Sequence, residues 1–252
     1  MRAYSSNAPT EKIMIRLAVS GCCGRMGQRI SALSLKDKSF KLSALLEGQA
    51  RPDTPAKIHQ VPVSFTNEAL KGSNVLIEFT TPEATMANLK ACVKHKVNMV
   101  IGTTGLDKKQ VAEIKKASAK IAIVYSSNMS VGVNLVFSMI KRAAQVTGKN
   151  YSMNLIETHH IHKKDAPSGT AKTMAEIAEQ FSKSKVKNIE SIREGEVIGD
   201  HTITFESDVD LISIRHNAKT RDIFAEGSLV AAKFLSKKKK GLFNMQDVLG
   251  LN

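Results

Sequence analysis

Gly21-Cys22-Cys23-Gly24-Arg25-Met26-Gly27 stands between an apolar run, Ile13 to Ser20, and a helix-like run from about Met26 to Leu35. A chain that passes from strand to helix through so tight a glycine turn is committed to a βαβ unit, because the glycines let the backbone reverse and the helix return onto the strand. The turn also aims the free N–H groups of the helix at whatever lies beyond the strand, which suits a pyrophosphate. The spacing is G-x-x-G-x-x-G, with Cys23 where the usual dinucleotide fingerprint can carry a second glycine. Glu47 ends the next apolar run, Phe40 to Glu47, 20 residues after Gly27. A carboxylate at that place can accept from the adenosine ribose hydroxyls. The competing reading is a tight strand-to-helix turn with no ligand.

Strand-like and helix-like runs go on alternating. Asn74–Thr80, Met99–Gly102 and Ile121–Ser126 read as strands, with helices after Pro82 and over Asp107–Ala119. That order implies right-handed crossovers and a parallel sheet. Ligands bind beyond the carboxyl ends of such strands, which brings in Gly102-Thr103-Thr104-Gly105 and Ser126-Ser127-Asn128-Met129. The pattern changes after Asn128. A helix over about Val131–Thr147, a strand Met153–His159 and a helix Ala171–Ser184 precede strand-like runs at Glu190–Arg193, His201–Glu206 and Val209–His216; Ala225–Leu235 returns to helix. The expected fold class is α/β: a Rossmann-like doubly wound parallel sheet domain plus a smaller α+β domain with a mixed or antiparallel sheet.

The 252 residues are long enough for two cores, and no apolar run reaches the length of a membrane span. The net charge is +14, but the basic residues are scattered, only 5% of the chain is aromatic and there is no Trp, so no stacking surface for nucleic acid is expected. Lys237–Lys240 reads as a solvated connection after a helix. Cys22, Cys23 and Cys92 form no C-x-x-C pair, which fits reduced thiols in a cytoplasmic protein. Residues 1–13 read as a flexible extension, not a secretory signal.

Glu157-Thr158-His159-His160-Ile161-His162-Lys163-Lys164-Asp165-Ala166-Pro167-Ser168-Gly169-Thr170-Ala171 is the second cluster of chemistry. His159 and His160 close a strand, and one imidazole of the pair can face a site and give up a proton near neutral pH. Lys163 is a cation suited to a carboxylate. Ser168, Gly169 and Thr170 open a helix whose free N–H groups suit the same group, and Asp165 can anchor the loop. Two other readings compete: exposed polar residues beside a routine N-cap at Ser168 or Thr170, and metal ligation by His159, His160 and His162. Adjacent histidines on a strand point to opposite faces and no obvious acidic partner completes a tetrahedral set, so no metal is expected.

Together these motifs resemble dihydrodipicolinate reductases. The resemblance rests on E-x-H-H-x-x-K-x-D-A-P-S-G-T-A at Glu157–Ala171, the G-x-x-G-R-M-G loop, E-F-T-x-P-E-A-T at Glu78–Thr85, I-G-T-T-G at Ile101–Gly105, N-x-S-V-G-V-N at Asn128–Asn134 and G-L-F-x-M-x-D-V-L at Gly241–Leu249. It implies reduction of a small cyclic dicarboxylate in lysine and diaminopimelate synthesis, with His159 as proton donor and Lys163 also catalytic. His160, Lys163, Ser168, Gly169 and Thr170 would hold the substrate. Gly21, Gly24, Arg25, Met26, Gly27, Glu47, Gly102, Thr103, Thr104, Ser126, Ser127, Asn128 and Met129 would line the cofactor site. The resemblance further implies a homotetramer joined through the second domain, at about 130–220, with 14–129 and 221–252 forming the first.

The cofactor would be NADH or NADPH. Some relatives carry Arg directly after the ribose-binding acid and after the first Thr of F-T, where this chain has Gly48 and Thr81. Glu47 would repel a 2′-phosphate with no such cation beside it, so NADH is the expected partner. The runner-up is another NAD(P)-dependent oxidoreductase acting on an amino acid or semialdehyde. An idle, basic binding protein on the same fold is the third reading.

Overall fold

β1 (Ile15–Ser20) buries every residue except Arg16, as a strand must when helices cover both faces of a parallel sheet. The computed structural model describes residues 14–50 and 52–251, so the proposed extension over residues 1–13 lies outside the described residues. After β1 come α1 (Arg25–Ser34), β2 (Phe40–Leu46), β3 (Lys57–Ile58), β4 (Val61–Ser64), β5 (Val75–Glu78), α2 (Pro82–His95), β6 (Asn98–Ile101), α3 (Lys108–Ala117) and β7 (Ala122–Tyr125). The helix starts are written locally. Thr81 caps α2 ahead of Pro82, and Asp107 with Gln110 forms a capping box on α3.

Then follow α4 (Val131–Thr147), β8 (Ser152–His159), α5 (Gly169–Ser182), β9 (Val186–Arg193), β10 (Asp200–Glu206), β11 (Leu211–Asn217), α6 (Asp222–Leu235), β12 (Gly241–Phe243) and α7 (Met245–Leu249). Among the described residues the first sheet runs β12-β7-β6-β5-β1-β2-β4-β3. All its neighbours are parallel except β3 with β4. The chain leaves β1 on one side towards β2 and returns on the other at β5, so the strand order reverses beside β1. The second sheet runs β11-β10-β8-β9, with β8 and β9 parallel and the remaining pairs antiparallel.

The second sheet has one covered face. Met153, Leu155, Ile203, Phe205 and Ile214 pack there against Val133, Phe137 and Ile140 of α4 and Met174 and Ala178 of α5. Period-2 alternation turns Ile156, paired with Thr202, to the other face, where Ile156 is 43% exposed.

Four elements were not legible in the sequence. β12 and β3 are too short to show a period, and Pro62 inside β4 argues against a strand unless the strand lies near an edge, as β4 does. α7 is one turn, closed by a capping box of Asn244 and Asp247. Lys237–Lys240 does connect α6 to β12.

Candidate active site

The glycine loop sits at the carboxyl end of β1, where the strand order reverses. Gly21 holds φ +72°, and a Cβ there would lie 2.9 Å from the Phe79 carbonyl oxygen. Gly24 is the N-cap of α1 and offers no side-chain cap, and the first turn carries no acid. The leading N–H groups of α1 are therefore open to an anion. Arg25 beside them is exposed, and its side chain makes no hydrogen bond or ion pair among the described residues. Glu47 Oε2 accepts from the Cys23 N–H at 3.0 Å and Oε1 from the Gly48 N–H at 3.0 Å, which fixes the carboxylate beside the loop. An uncapped helix start and a held carboxylate fit the pyrophosphate and ribose of a dinucleotide.

Other expected cofactor residues serve the frame. A Cβ on Gly27 would lie 2.1 Å from the Gly21 carbonyl oxygen, so this glycine lets α1 close on the loop. Gly102 lies under the Phe79 ring, which a Cβ would meet at 2.3 Å. Thr103 is buried; its hydroxyl donates to Glu78 Oε2 at 2.9 Å and accepts from the Thr80 N–H at 2.8 Å. Glu78 also accepts from the Thr80 and Thr85 hydroxyls, and burial raises its pKa against those bonds. Thr104 and Ser127 are exposed, and Met129 is buried. The Ser126 hydroxyl donates to the Asn128 carbonyl oxygen at 3.0 Å.

The second constellation lies on the helix-facing side of the second sheet. Alternation along β8 places Glu157 and His159 on that buried face, opposite His201 and Arg193 respectively. His159 Nδ1 abuts Glu157 Oε2. Glu157 Oε1 accepts from the Arg193 guanidinium at 3.0 Å and from the Ser168 N–H at 3.3 Å. Burial opposes ionisation of Glu157, but the Ser191 hydroxyl, Arg193 and His159 outweigh it and hold its pKa below the usual carboxylate range. Burial lowers the pKa of His159, against the pull of Glu157. His201 meets the His159 ring edge-on at 4.9 Å, and burial with the His159 charge pushes its pKa down to about 4.

Ser168 is the N-cap of α5. Its hydroxyl accepts from the Ala171 N–H at 3.1 Å and lies 3.1 Å from His201 Nε2. That hydroxyl is already engaged inside the fold, so the open donors here are the backbone N–H groups of Gly169 and Thr170. A Cβ on Gly169 would meet nothing within 4 Å, so the approach is clear. Lys163 Nζ pairs with Asp165 Oδ1 at 2.9 Å, and Arg193 donates to the carbonyl oxygens of Lys163 and Asp165 at 3.3 and 2.5 Å. His160 is partly buried, with Nδ1 unpartnered. The Asn128 amide donates to the Thr170 hydroxyl at 3.2 Å. This contact sets the end of β7 against the start of α5, so the two constellations meet.

An acidic partner does sit beside the histidines: ligand atoms of Glu157, His159 and His201 lie within 4.8 Å of one another. The trio His159, His160 and His162 is not assembled, since His162 turns outward to Glu196 at 3.7 Å. Within the new trio, Glu157 Oε1 is held by Arg193 and Ser168, and His201 Nε2 by Ser168. Four residues of this site carried no assigned role in the sequence. Glu157 could have been found, because i and i−2 on a strand share a face. Arg193, Gly199 and His201 come from other strands or loops, and spacing cannot place them. A Cβ on Gly199 would stand 3.1 Å from His159 Nε2, so a side chain here would crowd that nitrogen.

Comparison with known proteins bears on this geometry. Residues 15–129 match the family model "Dihydrodipicolinate reductase, N-terminus" and residues 132–249 the model "Dihydrodipicolinate reductase, C-terminus". The 4-hydroxy-tetrahydrodipicolinate reductase of Polynucleobacter necessarius is 39% identical over 94% of this chain and 99% of its own length. That of Pelagibacter ubique is 40% identical over 93% and 98%. A solved, dipicolinate-bound dihydrodipicolinate reductase from Paenisporosarcina sp. TG-14 superposes with a TM-score of 0.80 at 25% identity, covering 93% of this chain and 98% of that one. A probable dehydrogenase from Thermotoga maritima, at 11% identity and a TM-score of 0.65, shares the fold alone; the match covers 94% of this chain and 93% of that one.

Proposed function

This chain belongs to the dihydrodipicolinate reductase family, and from that premise we propose that it reduces 4-hydroxy-tetrahydrodipicolinate, or its dehydrated form, to tetrahydrodipicolinate in lysine biosynthesis. The observation that carries this reading is the meeting of His159, whose Nε2 lies against Gly199, the Lys163 ammonium and the open N-terminus of α5 across the Asn128–Thr170 contact from the dinucleotide crevice.

Bound reduced nicotinamide supplies a hydride. Gly21, Gly24, Arg25 and the start of α1 hold its phosphates, and Glu47 holds a ribose. Lys163 exchanges Asp165 for a substrate carboxylate, and the N–H groups of Gly169 and Thr170 take the other, with His160 beside them. Two fixed carboxylates orient the ring and exclude rotation. His159 donates its Nε2 proton to the ring, which keeps negative charge from building up as reduction proceeds, and the hydroxyl of the 4-hydroxy form leaves as water. The runner-up oxidoreductase readings are not favoured, because their structural relatives share only the fold. The direct test is a coupled assay. Aspartate semialdehyde and pyruvate are condensed by the preceding synthase, and oxidation of the reduced nucleotide must require both the synthase and this protein. Oxidation without the synthase, or none with a protein that still binds NADH, overturns the substrate assignment.

NADH is the preferred cofactor on this reading, because Glu47 repels a 2′-phosphate and the next residue, Gly48, carries no cation. A Cβ on Gly48 would meet nothing within 4 Å. Gly48→Arg is therefore expected to raise the NADPH/NADH ratio of kcat/KM about tenfold, the scale of one exposed phosphate contact; an unchanged ratio overturns this account.

The second unit, about 130–220, supplies substrate contacts and subunit contacts, while 14–129 with 221–252 hold the dinucleotide. Support for assembly comes from the uncovered sheet face, where Ile156, Ile192 and Leu211 are exposed beside Thr158 and Thr202, with Glu190, Glu206 and Arg215 on the same face. Such a face fits a symmetric pairing of sheets in a homotetramer. Ile156→Asp is expected to shift the protein to smaller species in sedimentation; retention of the parental mass would locate the contacts elsewhere. No helix among the described residues is long and apolar enough to cross a membrane, which suits the cytoplasmic location we assign.

A further inference from the structure

His159 has a problem as an acid. Burial lowers its pKa, and the positive charges of Lys163 and Arg193 lower it further, so the proton it must donate is one it holds poorly. The neutral ring with its hydrogen on Nδ1 would have nothing to give from Nε2. Only an imidazolium, or the other tautomer, can donate there.

Glu157 supplies what is missing. It is fully buried, two residues before His159 on the same face of β8, with Oε2 against His159 Nδ1. Its other oxygen is fixed by Arg193 and the Ser168 N–H. A buried carboxylate survives as an anion only when so paired. Held there, its negative charge against Nδ1 favours the charged ring over the neutral one and turns Nε2 towards Gly199, where a Cβ would stand 3.1 Å away. Arg193 also grips the carbonyl oxygens of Lys163 and Asp165, so one buried ion pair fixes both the acid and the loop that carries the cation. The charged and titratable groups facing His159 are Glu157 on its own strand, Arg193 on β9, His201 on β10 and Lys163 on the loop, with Asp165 behind Lys163. His201, its pKa near 4, stays neutral at working pH and adds no competing charge.

We propose that Glu157, anchored by Arg193, is a positioning residue that favours the protonated form of the His159 imidazole and aims it at the substrate. This rests on the reading of His159 as the proton donor. Glu157→Gln keeps the shape and the bonds from Arg193 and Ser168 but removes the charge from His159. The alkaline limb of the kcat–pH profile should then move about one to two pH units towards acid, the range of a nearby opposite charge. Above the limb, kcat should fall about tenfold for each unit of that shift, while the Kd for NADH stays at the parental value. His159→Gln is measured alongside. If it spares kcat, the proton-donor reading itself is wrong. If it abolishes turnover while Glu157→Gln leaves the pH profile in place, only the present proposal falls. Histidine NMR of the unsubstituted protein, with the His159 signals assigned by their loss in His159→Gln, decides the matter even if Glu157→Gln does not fold. A downfield Nδ1 proton bonded to carboxylate is expected; an unprotonated Nδ1 at acid pH overturns the proposal.

Discussion

His159→Gln should lower kcat by about 10²–10⁴-fold, the usual contribution of a positioned general acid, with the Kd for NADH unchanged. The glutamine side chain still occupies the space beside Glu157 but cannot pass a proton at neutral pH. The dinucleotide crevice lies on other strands, so binding of the nucleotide serves as an internal control for folding. Lys163→Ala should act differently. It removes the cation now paired with Asp165 and should raise the KM for the dicarboxylate as well as lower kcat, because fixing the ring contributes to both binding and orientation. Substrate kinetics with both variants separate the roles. A parental kcat in His159→Gln removes the proton-donor assignment, and a parental KM in Lys163→Ala removes the anchor.

Gly27→Ala is the second large effect. The added methyl would sit 2.1 Å from the Gly21 carbonyl oxygen and 2.7 Å from Cys22 Cα, both backbone atoms that cannot swing aside. Overpacking of that kind costs about 1–3 kcal/mol and sometimes more. A chain of this size should lose about 2–4 °C of melting temperature for each kcal/mol. The loop should move with α1, so NADH affinity should fall as well. Gly169→Ala is the contrast. Nothing lies within 4 Å of its Cβ, so the melting temperature should hold while the KM for the dicarboxylate rises. Equal melting temperatures for Gly27→Ala and the parent would show that the loop can give way.

The two glycines differ in a manner that the sequence does not record. Both read as ligand-facing glycines next to a helix start, yet a Cβ on Gly27 would strike the loop backbone while one on Gly169 would meet nothing within 4 Å. Ser168 carries the same lesson. Its place ahead of a helix suggested substrate contact or capping, and the structure engages the hydroxyl with the Ala171 N–H and His201. The Thr103 hydroxyl, on a residue expected at the cofactor, bonds Glu78.

The sequence by itself determined the α/β class, the position of the glycine loop between β1 and α1 and the family, because these follow from short-range patterns. A strand, a glycine turn and a helix are specified within about 20 residues, and the motif from Glu157 to Ala171 carries its acid, its cation and its helix start on one continuous segment. What only the tertiary structure decided is which of those groups are free to react. His201 and Arg193 reach the site because β10 and β9 pair with β8, and Gly199 reaches it from the loop before β10. The state of His159 is set by Glu157, Arg193, Lys163 and burial together. Sheet register and desolvation are long-range properties: they depend on which strands become neighbours, and no local spacing encodes that choice.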